Sequence, residues 1–285
     1  MITSANDRAE DFTSTLLPNV NKSVCRMGIA GNYGLNPSDI AWAAEQGANY
    51  WLWGTSFKKV TEGIKQVIRQ DREKHVVAML GWGAFGWQVR QNVESALRKL
   101  DTDYLDVFTL GWLGRMSGYR LAVVETLLKL KQEGKIKTIG VSIHDRQRAG
   151  RLVLDSEIDL FMIRYNAKHT GAEEDIFPHL SKRNPALVSY TVLAWQQLTR
   201  PLKGIEMPPW PGAEQFDVPP LTPELCYRFA LTNPHVHVVL TGPGNREQLK
   251  QNFAALQQGP LTPEELNWVR EYGRLIKSRK KFDYL

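Results

Sequence analysis

Residues 103–112, DYLDVFTLGW, form a short apolar run that ends on a glycine and a tryptophan. Aromatic and β-branched residues bounded by Asp103 and Gly111 are typical of a strand that is buried on both faces. Seven more runs of this kind alternate with stretches of helical apolar spacing. The eight predicted strands are residues 24–29, 49–53, 76–80, 104–110, 136–142, 160–165, 187–191 and 236–241.

Eight strands alternating with helices predict an α/β fold, a closed (β/α)8 TIM barrel, rather than an open sheet. A length of 285 residues with 42% hydrophobic content suits one domain. We divide it into an N-terminal extension, residues 1–23, and a barrel, residues 24–285. A Pro-rich loop at 199–223 interrupts the barrel, because its prolines prevent a regular helix. The last helix is expected to begin at Pro263, with Thr262 and Glu265 as a capping box.

Composition sets limits on localisation and partners. No basic leader followed by an apolar run, and no stretch of eighteen apolar residues, is present, so a cytoplasmic protein without membrane contact is expected. A net charge of +6 favours a small anionic ligand, with nucleic acid not expected. Tryptophans at the predicted strand ends would equally suit an aromatic ligand. Cys25 and Cys226 are interpreted as reduced core thiols, and no metal site is predicted. The oligomeric state is left open.

Six segments in chain order carry a family resemblance. They are AAEQGANY, SALRKLDTDYLDVFTLGW, LLKLKQEGKIKTIGVS, RYN, VSYTVLAW and LTGPGNREQLKQNFAAL. Together they resemble the aldo-keto reductase superfamily over roughly residues 24–275. The resemblance implies a barrel that reduces carbonyls with a hydride from NADPH.

The catalytic tetrad of that family is not found at the matching positions. The family uses an aspartate, a tyrosine proton donor, a lysine that tunes the tyrosine and a histidine. In this chain Leu52 and Phe57 stand at the first two positions. Leu80 or its neighbour Met79 stands at the third, and Gly111 stands at the fourth. A general acid contributes about 10²- to 10⁴-fold in rate, so the resemblance implies a divergent branch without the standard mechanism.

The segments that hold NADP(H) in the family are better kept. Tyr190 matches the tyrosine that stacks on the nicotinamide, and Arg246 begins a helix whose free N–H groups suit a phosphate. Ile143 and Met162 replace two residues that grip the nicotinamide amide. Gly31 and Asn32 fit a close approach to the cofactor and fit a tight turn equally well. The predicted cofactor-binding residues are Gly31, Asn32, Ser142, Tyr190, Thr191, Gly242, Asn245, Arg246, Gln248 and Asn252.

Polar residues instead follow the fifth and sixth strands. His144, Arg164 and His169 are the candidates for acid–base or anion-binding roles at the carboxyl end of the barrel. Helix capping is the alternative interpretation of the polar residues that follow the sixth strand. In that case Thr170 or Gly171 caps the next helix, Glu173 and Glu174 favour its positive end, and Arg164 pairs with one of these two glutamates.

Three functions follow from these observations. The first is an aldo-keto-reductase-like, NADP(H)-binding oxidoreductase that does not use the tetrad. The second is a cofactor-independent lyase, isomerase or hydrolase that uses Arg164, His144 and His169. The third is a noncatalytic pseudoenzyme that senses a ligand.

Overall fold

The computed structural model describes residues 12–201, 207–212 and 220–279. Eight parallel strands close into a barrel in chain order, and the last strand pairs with the first. They are β3 (Met27–Ala30), β4 (Tyr50–Trp53), β5 (Val76–Gly81), β6 (Leu105–Leu110), β7 (Ile136–Ile143), β8 (Leu160–Arg164), β9 (Ala186–Tyr190) and β10 (Val238–Thr241). The predicted (β/α)8 barrel is confirmed.

Helices follow the strands and cover the outside of the barrel. The described helices are α1 (Pro37–Glu45), α2 (Lys58–Gln70), α3 (Gly86–Leu100), α4 (Leu121–Gln132), α5 (Arg146–Leu154), α6 (Ala172–Asp175), α7 (Pro223–Thr232), α8 (Arg246–Gln257) and α9 (Pro263–Arg279), with a 3₁₀ helix at Phe177–Lys182. No helix in these ranges is long and apolar enough to span a membrane. The predicted capping box of α9 is present. The Glu265 amide donates to Thr262 Oγ1 at 3.2 Å, and the Thr262 amide donates to Glu265 Oε2 at 2.9 Å.

An antiparallel hairpin precedes the barrel, formed by β1 (Ser14–Leu17) and β2 (Lys22–Cys25). The predicted strand at 24–29 is therefore two strands, because β2 ends at Cys25 and only β3 belongs to the barrel. Leu17 and Val24 pack into the same apolar cluster as the interior residues of the barrel. The hairpin thus closes the amino-terminal end of the barrel.

A buried carboxylate, Asp106, ties this hairpin to the barrel. Its side chain lies 2.9 Å from Lys22 Nζ in β2 and 2.8 Å from Arg72 Nη2 after α2. The amide of Val77 donates a further hydrogen bond at 2.9 Å. The ring of Tyr104 covers the Arg72 guanidinium at 3.8 Å. A fully buried charge is stable only with such partners, so this cluster holds the closed end together.

The Pro-rich loop is described only in part. Residues 202–206 and 213–219 lie outside the described ranges. Within 207–212, Pro208 accepts a hydrogen bond from Trp268 Nε1 at 2.8 Å, and Trp210 packs edge-on against the Trp268 ring. This part of the loop is therefore anchored on α9.

Replacement of Asp106 by asparagine should strongly destabilise the fold. Asp106→Asn leaves Arg72 without its carboxylate partner and leaves Lys22 with the exposed Glu73, 3.7 Å away. Loss of one partner of a buried ion pair costs about 3–5 kcal/mol. Urea unfolding would measure this loss. The matched control is Asp101→Asn, whose carboxylate pairs with Arg69 at the surface. We expect little change there, and equal losses in the two variants would contradict the assigned role of Asp106.

Candidate functional site

The carboxyl end of the barrel is apolar on β4 and β5. Leu52 pairs in register with Ala78, and Leu80 pairs with Thr109. Leu52 and Leu80 both contact the interior apolar cluster, whereas Met79 packs in the outer layer between strands and helices. Leu80, and not Met79, is therefore the interior residue that closes the third strand of the barrel.

Gly111 follows β6, and an aromatic ring fills the space beside it. A Cβ atom built on Gly111 would lie 2.7 Å from Cε3 and 3.0 Å from Cη2 of Trp82. Real Cβ contacts are not this short, so any larger residue at 111 requires the Trp82 ring to move. The partly exposed Trp82 ring thus stands where a side chain at position 111 would project.

Phe57 lies between the ends of β4 and β5. It precedes α2 and makes no side-chain cap. A Cβ atom built on Gly54 would lie 3.4 Å from both the Phe57 ring and the carbonyl oxygen of Leu80. The half-buried ring therefore closes the same region as Leu52 and Leu80. This side of the barrel mouth offers hydrophobic surface and no ionisable side chain from these positions.

The opposite side of the mouth is polar. Tyr190 Oη, at the end of β9, lies 3.0 Å from His144 Nε2, and the two rings meet edge-to-face. The Trp112 ring also contacts the imidazole, with 5.8 Å between the ring centroids. Ser142, on the same interior face of β7, is also buried. Tyr190 and His144 are 46 residues apart, so only barrel closure brings them together.

Burial keeps both groups of this pair neutral. Burial lowers the pKa of His144, and the guanidinium groups of Arg164 and Arg115 lower it further. Burial raises the pKa of Tyr190 to about 12, although Arg164 and a hydrogen bond from Ser142 oppose this shift. At neutral pH the site therefore holds a phenol and an uncharged imidazole beside cationic side chains. Such a site can bind an anion, and its imidazole can accept or relay a proton.

Arg164 belongs to this site by its position in β8, where it pairs in register with Tyr190. Glu173, its predicted alternative partner, is bound elsewhere. Both Glu173 carboxylate oxygens accept from Arg270, and Tyr165 Oη donates at 2.5 Å. The helix-capping interpretation is confirmed for Gly171, which occupies the N-cap of α6, and for Glu173 and Glu174, which lie in the first turn of that helix.

His169 lies in a buried turn that follows β8. Its Nδ1 is 3.0 Å from Asn166 Oδ1, and the same oxygen accepts from the His169 amide at 2.9 Å. Asn166 Nδ2 in turn donates to the Thr191 carbonyl oxygen at 2.8 Å. These contacts give His169 a structural place in the turn that joins β8 to the segment after β9.

The predicted adenosine-phosphate residues gather at the connection from β10 to α8. Asn245 caps α8 by accepting from the Gln248 amide at 2.9 Å, and the Gln248 side chain accepts from the Gly244 amide at 2.8 Å. Asn252 donates to Thr241 Oγ1 at 2.7 Å. Arg246 lies 2.8 Å from Asp39 Oδ1 at the start of α1. All of them therefore make contacts within the protein that help to shape this connection.

The turn after β3 packs on the same connection. A Cβ atom on Gly242 would lie 2.6 Å from Cε2 of Tyr33, so the Tyr33 ring rests on the Gly242 backbone. Gly31 is buried against Val60, and Asn32 is exposed. The structure thus shows a tight turn here, with an exposed aromatic ring over the glycine.

Thr191 follows Tyr190 in an unusual backbone conformation. Its φ is +52°, which is rare for a β-branched residue, and its buried Oγ1 has no hydrogen-bond partner among the described residues. Strained residues and unsatisfied buried hydroxyl groups often mark ligand sites. The sequence pattern predicted a role for Thr191 but not for Arg115. The available signal for Arg115 was its position, three residues after Trp112 at the end of a predicted strand.

Comparison with known proteins agrees with this geometry. The model of the aldo/keto reductase family matches residues 32–207. The chain belongs to that family.

Two curated relatives and one solved structure show the range of similarity. Methylglyoxal reductase YeaE of Escherichia coli is 30% identical over 116 residues, and that match spans only 40% of either chain. An uncharacterised oxidoreductase, YqkF of Bacillus subtilis, is 24% identical over 278 residues, with 88% of each chain covered. An aldo-keto reductase from Klebsiella pneumoniae in complex with NADPH superposes with a TM-score of 0.70 at 20% identity, with 95% and 99% coverage.

Trp82 and Gly111 should be energetically coupled. Gly111→Ala forces the Trp82 ring aside and should cost about 1–3 kcal/mol of stability, as overpacking does. In the background of Trp82→Ala the same substitution should cost under about 0.5 kcal/mol. A double-mutant cycle by urea unfolding measures both values. Equal costs in the two backgrounds would mean that the ring does not occupy this space.

His144 should titrate below its ordinary pKa of 6.5. Between the lowered pKa of His144 in the folded protein and its ordinary pKa in the unfolded chain, the unfolded chain binds more protons. The contribution of His144 to the free energy of unfolding is therefore fully present above the ordinary pKa and is lost as the pH falls through the lowered pKa. NMR titration of the imidazole measures the pKa directly. Arg164→Gln should raise this pKa, whereas Arg98→Gln, on exposed α3 surface, should leave it unchanged. If the pKa of His144 changed equally in both variants, net charge and not the proximity of Arg164 would be the cause of its shift.

Proposed function

We propose that this chain is an aldo-keto-reductase-like protein that binds NADP(H) but does not reduce carbonyls by the tetrad mechanism of the family. The observation that carries this proposal is the apolar side of the barrel mouth. Leu52 and Leu80 face the interior there, Phe57 lacks a hydroxyl group, and the Trp82 ring occupies the space beside Gly111. None of these groups can donate a proton or tune a donor.

The residues present fit the cofactor at two points. At one end, Thr191 follows Tyr190 in the chain, and its Oγ1 is a buried hydroxyl group without a hydrogen-bond partner among the described residues. At the other end, Arg246 uses Nε for Asp39 and one Nη2 hydrogen for Ser38, which leaves further N–H groups of its fork for a phosphate. The Klebsiella pneumoniae relative in complex with NADPH supports the same assignment. Bound NADPH would supply a hydride.

The residues on β7, β8 and β9 would then bind and orient the second ligand. Arg164 supplies positive charge, and His144 supplies a neutral imidazole that Tyr190 Oη holds in place at 3.0 Å. Because the lowered pKa of His144 keeps it uncharged, it acts as an acceptor or as a weak N–H donor, not as a strong acid. We therefore infer that the ligand is a small molecule with an anionic group.

The contact between Tyr190 and His144 also favours a second candidate function. An imidazole held by a phenol beside a guanidinium group can perform acid–base chemistry without any hydride transfer, as in a lyase or isomerase. Under this alternative the segment after β10 has only a structural role, and its internal hydrogen bonds agree with such a role. Cofactor binding is the property that separates the two functions.

NADPH should bind, and Arg246 should contribute to its affinity. Fluorescence titration should give saturable binding that is tighter for NADPH than for NADH. Arg246→Ala should weaken NADPH binding by about 1–3 kcal/mol, as loss of a charge-assisted hydrogen bond does. The control is Lys250→Ala, which removes an exposed charge from the same helix. Absence of binding at millimolar NADPH would favour the cofactor-independent enzyme.

The same preparation allows a test of catalysis. With a broad panel of aldehydes and ketones, oxidation of NADPH should stay far below the turnover of about 1–10³ per second that is typical of enzymes. Turnover within that range would contradict the proposal. Binding of NADPH without turnover on any substrate would identify the chain as a ligand-sensing pseudoenzyme.

A further inference from the structure

A cavity of about 280 Å³ lies beside the barrel mouth, between the β6–α4 connection and α5. The connection forms one wall with residues 114–120, and Arg148 of α5 forms part of the other. Three of the lining residues are arginines, Arg115, Arg120 and Arg148. The cavity is separate from the predicted cofactor segment after β10, and its most direct link to the mouth is Arg115, whose guanidinium lies 5.3 Å from the Trp112 ring centroid.

None of the three guanidinium groups has a carboxylate partner among the residues that the structure describes. Other arginines of the chain do: Arg72 pairs with Asp106, and Arg270 pairs with Glu173. The nearest acidic residue in sequence, Asp145, uses its carboxylate to cap the backbone amide of Arg148. Three positive charges therefore share one small cavity without a neutralising group.

Two of these arginines lie at the starts of helices. Arg120 is the N-cap residue of α4, and Arg148 lies in the first turn of α5. Both helix ends carry a partial positive charge, which disfavours cations and favours anions. Neither helix has an acidic residue in its first turn, but the Asp145 carboxylate caps the start of α5, whereas α4 has no side-chain cap. An anion in the cavity would therefore offset the repulsion at the start of α4 and among the three guanidinium groups.

The backbone of the connection is shaped to let Arg148 approach. Gly114 has a φ of +92°, and a Cβ atom there would lie 3.1 Å from Arg148 Nη1. Ser117, which is buried in the same connection, accepts from the Gly83 amide at 3.3 Å and keeps its own hydroxyl hydrogen available. The cavity thus combines guanidinium forks with a hydroxyl donor, which are the groups that bind phosphate oxygens.

A second cavity of about 350 Å³ adjoins the first and shares Ala84 and Met116 with it. Its walls include the exposed rings of Trp82 and Trp87. Exposed tryptophans beside a cationic cavity provide a flat apolar surface for the remainder of a ligand.

We propose that the two adjoining cavities bind an aryl phosphate, with the phosphate among Arg115, Arg120 and Arg148 and the ring against Trp87 and Met116. A phosphate carries about −1.5 to −2 charges and three acceptor oxygens, which suits three guanidinium groups better than a carboxylate does. This inference goes beyond the proposed function and does not depend on NADP(H) binding.

The test uses phenyl phosphate and isothermal titration calorimetry on the full chain. Phenyl phosphate should bind at about millimolar affinity or better, and more tightly than inorganic phosphate or benzoate. The variant Arg115→Gln/Arg120→Gln/Arg148→Gln should bind phenyl phosphate at least about tenfold more weakly. Trp87→Ala should weaken phenyl phosphate binding but leave inorganic phosphate binding unchanged.

Two control variants distinguish binding in these cavities from a general effect of charge and from binding at the cofactor segment. Arg98→Gln/Lys129→Gln/Arg151→Gln removes the same net charge from exposed helix positions and should change affinity less than about twofold. Arg246→Gln should likewise have little effect. An equal loss of phenyl phosphate affinity in the charge control would mean that net charge alone causes the weakening. A loss of affinity in Arg246→Gln would mean that the phosphate binds at the segment after β10. Either result, or no binding to the wild-type chain at millimolar phenyl phosphate, overturns the proposal.

Discussion

Closure of the eight-stranded sheet is the constraint on which the rest of the structure depends. Side chains alternate along each strand, so one residue faces the interior and the next faces the helices. Once the last strand pairs with the first, the register of the closed sheet determines for every strand which side chains face the interior. Leu52, Leu80, Arg164 and Tyr190 consequently share the interior face at the carboxyl end, while Met79 faces the helices.

The two ends of the barrel have different physical roles. The amino-terminal end is closed by the hairpin of β1 and β2 and by the charges of Lys22, Arg72 and Asp106. Its polar groups are paired within the protein, so they stabilise the fold and offer little to a ligand. Among the described residues, the carboxyl end retains groups that are not paired in this way, such as Thr191 Oγ1 and the three arginines of the cavity beside the mouth.

Glycines at the mouth are matched by aromatic rings. Trp82 lies against Gly111, and Tyr33 lies against Gly242. In each pair the absence of a Cβ atom is what permits the contact, so the glycine and the ring depend on each other. A histidine at position 111 would therefore require a change at Trp82 as well.

The amino-acid sequence by itself determined the strands, the alternation of their side chains and the capping box of α9, because these depend on residues close together in the chain. It also identified Thr191, His144 and Arg164 as residues at strand ends. The sequence could not show that β2 ends at Cys25 outside the barrel, since only one residue, Arg26, separates it from β3. Only the tertiary structure decided which of these residues meet. Arg246 pairs with Asp39 across 207 positions, and His144 meets Tyr190 across 46. The cavity of three arginines likewise forms from one connection and a separate helix. Local periodicity carries no information about such contacts, because closure of the barrel and the paths of its loops set the distances between distant parts of the chain.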